Sequence, residues 1–127
     1  MRRYLNLRFW RSLNQAGRGM QYAWRTQGHL QFQVLAGAVV LCFAWWSRVT
    51  RFEWLVLILA IGSVIGAEVV NSAIEIAVDL AHPNFHPLAG MAKDVAAGAV
   101  LVSVIQAIVI GLIVFWPPLF RMADKMF

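Results

Sequence analysis

Glu68, Glu75 and Asp79 recur at spacings of seven and four residues inside an otherwise apolar stretch. At about 100° per residue, the three carboxylates lie within roughly 40° of one another on a helix, with Asn71 and Ser72 flanking them. Eleven residues separate Glu68 from Asp79, so the stripe runs about 16 Å along the axis. Lys93 and Asp94 follow after a short loop, and four of the chain's six acidic residues fall between positions 68 and 94. A deep carboxylate can serve as a general base. A shallower one can hold a hard divalent cation such as magnesium, which keeps several waters and shares its ligands with phosphates. Lys93 can neutralise a transferring phosphate, and Asp94 can orient that phosphate or the metal. A buried carboxylate can also simply pair with a cation and hold helices together, and for any one of these residues alone that reading prevails. Four acidic groups with Asn71 and Lys93 inside 27 residues favour a site, because ionisable groups at membrane depth are costly and mark function.

The elements that must position these groups are hydrophobic. The chain has 127 residues, 61% of them hydrophobic and 13% charged, which is enough for one domain and too apolar for an ordinary soluble one. Three segments, 30–46, 52–78 and 95–116, are each read as a transmembrane helix, which needs about 20 apolar residues. The first is short at 17 residues, so its ends reach the interface. Ahead of them, residues 1–27 read as an amphipathic helix. Leu5, Phe9, Leu13, Ala16, Met20 and Trp24 form one face, and Arg8, Arg11, Gln15, Arg18 and Arg25 cover the other, a pattern suited to the headgroup plane. The fold class is thus an all-α membrane protein: one interfacial helix and three spans.

The net charge of +5 does not indicate a nucleic-acid partner. Six of the eleven basic residues are arginines in the first 25 positions, beside the first span, where basic residues favour the cytoplasmic side. The N-terminal arm and Lys93 give seven cations on one face; Arg48, Arg51, Arg121 and Lys125 give four on the other. The expectation is a multi-pass protein with a cytoplasmic N-terminus and no cleaved leader. Cys42 has no cysteine partner and is read as a core residue. Gly17-Arg18-Gly19 is too short to cradle phosphate, and no GxxxxGK(S/T) pattern occurs. Gly28 and His29 are expected to break the chain before the first span, and Trp45, Trp46 and Trp54 to form an interfacial belt. The turn at 47–52 makes the first two spans antiparallel neighbours. His82 and His86 have a helical metal-site spacing, but Pro83 puts them in a loop, where capping is the better reading. Ala96, Ala97, Gly98 and Ala99 suit close helix contact. Pro117-Pro118 is expected to close the third span, leaving a short interfacial tail.

At these residues a resemblance becomes specific. The string Glu68-Val-Val-Asn71-Ser-Ala-Ile-Glu75, then Asp79, His86-Pro87-Leu88 and Ala92-Lys93-Asp94-Val-Ala-Ala-Gly-Ala-Val, resembles the bacterial diacylglycerol kinase family, which includes the undecaprenol kinases. The likeness covers nearly the whole chain in length and layout. It implies a homotrimeric, magnesium-dependent lipid kinase of the bacterial inner membrane that uses ATP, with active sites shared between subunits. By that resemblance Glu68 is the general base, Asn71 supports the reacting groups, and Glu75 holds magnesium on the nucleotide phosphates. Lys93, Asp94, Asn84 and His86 fall at nucleotide contacts, as do Arg8 and Gln15. The loop and the AKDVAAGAV run look closer to the undecaprenol branch than to the diacylglycerol branch.

One position departs from the family pattern. The family places a glutamate before the first span as a second metal ligand; here Gln27 stands there, and Gln31 replaces a basic residue that commonly follows. A glutamine carbonyl can coordinate magnesium but brings no charge, so a catalytically weakened homologue is one alternative. A small proton-coupled transporter is another, because intramembrane glutamates also suit proton relays. Against the transporter, the carboxylates bunch at one membrane end beside a Lys-Asp pair and not at the midplane of inverted repeats.

Overall fold

A computed structural model of the chain describes residues 2–84 and 86–123, with side chains over 8–84 and 86–117. The described residues form four helices: α1 (Arg2–Thr26), α2 (Gly28–Trp46), α3 (Arg51–Ala81) and α4 (Pro87–Ala123). Three stretches, Gly28–Trp46, Arg51–Ala81 and Pro87–Pro117, are long and apolar enough to cross a membrane. The side chains of Arg2, Arg3, Leu5 and Arg121, and the whole of Lys125, lie outside the described residues.

The break between α1 and α2 falls at Gln27, whose backbone is extended at φ −110° and ψ 100°. Gly28 and His29, expected to break the chain, instead begin α2. The kink leaves few backbone groups without partners. Gln27 N–H still donates to Ala23 O at 2.9 Å, and Gln31 N–H reaches Gln27 O at 3.4 Å. Gln31 Nε2 donates to Trp24 O at 2.7 Å, occupying a carbonyl that the end of a helix otherwise leaves unpaired.

The α2–α3 turn is built from two capping motifs. Val49 N–H donates to Ala44 O and Arg48 N–H to Trp45 O, both at 3.3 Å. That is the bond pattern of a Schellman cap, with Arg48 at the left-handed position usually held by glycine; its φ is 52°. Val49 packs on the cluster containing Ala44, the apolar contact that accompanies such caps. Thr50 then opens α3 with a capping box: Glu53 N–H donates to Thr50 Oγ1 at 3.3 Å, and Thr50 N–H to Glu53 Oε2 at 2.6 Å. The sequence carries the signal as Thr-Arg-Phe-Glu at 50–53.

At the other end, His86 caps α4. Its carbonyl accepts from Gly90 N–H at 3.1 Å, and its Nδ1 accepts from Leu88 N–H at 3.2 Å. Pro87 takes the first helical position, where a missing N–H costs nothing. Contrary to the expected stop at Pro117-Pro118, the backbone stays helical to Ala123. Proline is tolerated in membrane helices when neighbours and local adjustment re-satisfy the freed carbonyls.

The three long helices run antiparallel. Ala44 near the end of α2, Leu57 near the start of α3 and Val114 near the end of α4 make the buried cluster, with Trp54 and Phe115 against it. Trp54 is therefore partly a packing residue, while Trp45 and Trp46 are exposed. Phe43 and Phe115 rings lie 4.8 Å apart. Gly37 lets α2 approach α3: a Cβ there would sit 2.8 Å from Ile61 Cγ2. Leu30, Gly37 and Ala44 bury one side of α2. Cys42 points away from that side and is exposed, contrary to its reading as a core residue. Of Ala96, Ala97, Gly98 and Ala99 on α4, Ala96 is buried, Gly98 half-buried, and Ala97 and Ala99 exposed. Because just 6% of α4's apolar window is buried, its faces require lipid or another chain. This topology brings the start of α2, the end of α3 and the start of α4 to one end of the bundle, opposite the aromatic cluster.

Candidate active site

The C-terminal half of α3 carries the polar groups, graded from buried to exposed. Glu68, Asn71 and Ser72 are buried, at 4%, 7% and 3% exposure. Glu75 is half-buried and Asp79 is exposed. Each carboxylate has a different partner. Gln33 Nε2, from α2, donates to Glu68 Oε2 at 3.1 Å. Asn71 Nδ2 donates to Glu75 Oε1 at 3.1 Å, one turn along the same helix. Lys93 Nζ, from α4, pairs with Asp79 Oδ1 at 2.5 Å. Thus the structural ion-pair reading applies to Asp79, whereas Glu68 and Glu75 are held by neutral amides. Ser72 Oγ donates to Glu68 O at 2.9 Å, a local back-bond that keeps the hydroxyl satisfied inside the helix.

Two amide oxygens at this end of the bundle are buried without a partner: Gln33 Oε1 and Asn71 Oδ1. A buried polar atom lacking a bond costs about 1–3 kcal/mol, so each marks a place where a further group can bind at a gain. Among the described residues no group of three or more His, Cys, Asp or Glu side chains can hold a metal by itself. Magnesium is usually held by one or two carboxylates together with substrate phosphates and needs no such group. Glu75 and the unpartnered Asn71 oxygen supply such a partial set.

The remaining sequence candidates are spread around this end. Gln27 occupies the N-cap position of α2 and makes no side-chain cap bond. His82 and His86 stack with ring centroids 5.1 Å apart. Arg8, Gln15, Asn84 and Asp94 are exposed. Among the described residues, a single chain gives none of these four a side-chain bond into the Glu68–Glu75 group.

An apolar cleft of about 310 Å³ lies between α2, α3 and α4, lined by Phe32, Gly37, Leu57, Ile61, Val104 and Phe115 among others. Gln33 is the polar side chain in its wall, and it is also the residue bonded to Glu68. The cleft therefore ends beside the buried carboxylate. Gln33 was missed as a site candidate by reasoning along α3 alone; the available signal was a polar residue inside an apolar span.

Comparison with known proteins bears on this arrangement. Residues 14–115 match the family model for prokaryotic diacylglycerol kinase. The chain is 42% identical over 112 residues to an undecaprenol kinase of Bacillus subtilis, covering 88% of this chain and 91% of that protein. It is 32% identical over 111 residues to a diacylglycerol kinase of Escherichia coli (85% and 91% covered). It is also 36% identical over 109 residues to a diacylglycerol kinase of Synechocystis, covering 85% of this chain and 62% of that one.

Proposed function

The chain belongs to the prokaryotic diacylglycerol kinase family and is a lipid kinase, and from that premise we propose that it transfers the γ-phosphate of ATP to the hydroxyl of undecaprenol or diacylglycerol at the cytoplasmic face of a bacterial inner membrane. The observation that carries this reading is Glu68, a buried carboxylate held by an amide and not by a cation, beside an apolar cleft. Depth supports it. Sixteen residues separate Phe52 from Glu68, about 24 Å of helix, so Glu68 falls near the inner boundary of a hydrocarbon core about 30 Å thick. Glu75 and Asp79 then lie among headgroups and water, where a nucleotide arrives.

In the reaction the lipid hydroxyl gives its proton to Glu68, and its oxygen forms the new bond to the γ-phosphorus. The bond from that phosphorus to the β–γ bridging oxygen breaks, and ADP leaves. Such transfer depends on positioning and charge neutralisation more than on covalent participation by the protein. Lys93 exchanges Asp79 for phosphate oxygens, Asp94 orients the nucleotide, and Arg8, Gln15, Asn84 and His86 contact it. Asn71 supports the reacting groups and fixes the Glu75 carboxylate. Glu75, with the free Asn71 oxygen and weakly Gln27, would hold magnesium, which when bound supplies charge neutralisation on the phosphates. The exposed faces of α4 and the lack, among the described residues, of side-chain bonds from α1 into the site support assembly of several subunits with shared sites. The number three follows the family resemblance. The higher identity to the undecaprenol kinase supports a polyprenol as the first lipid to test.

Purified protein in mixed micelles, given labelled ATP and a panel of undecaprenol, diacylglycerol and ceramide, is expected to phosphorylate one of the first two. A second reading rests on Gln27, which brings no charge to the hinge where it sits. In that reading the metal site is weakened, and Gln27→Glu lowers the magnesium concentration needed for half-maximal rate. Equal activity and equal metal dependence in both proteins would remove it.

A further inference from the structure

We propose that Gln33 is the positioning residue for Glu68: its amide fixes which carboxylate oxygen faces the lipid alcohol, and it does so across the α2–α3 interface. This deepens the reading of Glu68 as base and rests on it. Gln33 Nε2 donates to Glu68 Oε2 at 3.1 Å from 35 positions away in sequence. A single hydrogen bond to one oxygen leaves the other, Oε1, to take a proton. The bond also restrains rotation about the last torsion of the side chain, which is otherwise broad. The same amide lines the apolar cleft, so an alcohol coming from the cleft meets Gln33 and Glu68 together.

Packing alone does not account for this side chain. Its Oε1 is buried and has no partner, and an apolar residue of similar length would fill the same wall without an unsatisfied acceptor. The close approach of α2 to α3 at Gly37, one turn further along, sets the spacing that lets the amide reach. The polarity of the pair is also defined. An amide N–H donates and a carboxylate accepts, so Gln33 supplies the donor that Glu68 takes.

The test compares Gln33→Met (similar length, no donor), Gln33→Leu (apolar, no donor) and Gln33→His (donor retained) in the full chain, beside Glu68→Gln. A hydrogen bond to a charged group makes a loss of about tenfold or more in kcat the expected result for the Met and Leu variants. KM for ATP should stay within about twofold, because the groups assigned to the nucleotide are untouched. Gln33→His should recover kcat to within about threefold of the parent, since it supplies an N–H. The proposal is overturned by parental kcat in Gln33→Met. It is equally overturned by a loss confined to KM, or by an equal loss in all three variants that follows a drop in melting temperature. Turnover by Glu68→Gln would instead overturn the base assignment, and this inference with it. An inactive Glu68→Gln beside a fully active Gln33→Met would remove the inference alone.

Discussion

Asp79 and Lys93 show how a single pair can serve structure and chemistry in turn. Their ion pair is largely exposed on the carboxylate side, so it contributes about 0–1 kcal/mol to stability and is weak enough to be exchanged for a triphosphate. Asp79→Asn is therefore expected to lower KM for ATP by up to about fivefold, the same energy expressed as an affinity, with little change in melting temperature. A rise in KM would mean that Asp79 works with the metal instead. At this scale the stripe Glu68–Glu75–Asp79 was legible from periodicity, and Lys93 from its type, whereas Asp94 is exposed and, among the described residues, makes no bond into the group. The partners were not legible. Helical spacing reports which residues share a face, and it cannot report that an amide 35 positions away on α2 reaches Glu68, nor that Lys93 faces Asp79 and not open solvent.

Helices, unlike the contacts between them, announce themselves locally. The apolar runs signal α2, α3 and α4 because hydrophobic length is a property of sequence alone. Their ends proved harder to read. The rule that proline stops a helix failed at Pro117-Pro118, where α4 continues, yet it held at Pro87, which sits at a helix start. The cap at Arg48 was invisible because nothing in that residue type announces a left-handed backbone. Its φ of 52° carries a cost for a residue with a Cβ, about 1–2 kcal/mol, which glycine avoids. Arg48→Gly is expected to stabilise the chain by up to about 1 kcal/mol, and Thr50→Ala, which removes one half of the capping box, to destabilise it by about 1 kcal/mol. Thermal unfolding in detergent, read by circular dichroism, checks both, and kinase activity at permissive temperature should be unchanged because the turn lies at the end remote from Glu68.

As a whole the single chain leaves most of its described large apolar side chains exposed, for lipid or another chain to cover. Three apolar helices, one of them thinly buried, carry the polar groups, and among the described residues α1 gives the site no side-chain bond. If neighbouring subunits complete each site, two inactive variants should rescue one another. Co-assembly of Glu68→Gln with Arg8→Ala is expected to restore measurable turnover, because among the described residues Arg8 makes no side-chain bond into its own chain's Glu68–Glu75 group and some sites in the mixed oligomer then take both native residues from different chains. Failure of rescue, with mixing verified by differently tagged chains, would mean that each chain builds its own site. A lone sequence shows none of this division directly; only the excess of apolar surface over what one chain buries points to it.

The most direct measurement is transfer of labelled γ-phosphate to undecaprenol or diacylglycerol by the parent chain and by Glu68→Gln, with nucleotide binding and oligomer size measured on the same samples. Turnover should fall by more than about 100-fold, the scale of losing a general base, while nucleotide binding and assembly stay intact. Turnover by Glu68→Gln close to that of the parent would contradict the account, since no carboxylate would then be needed to take the alcohol's proton.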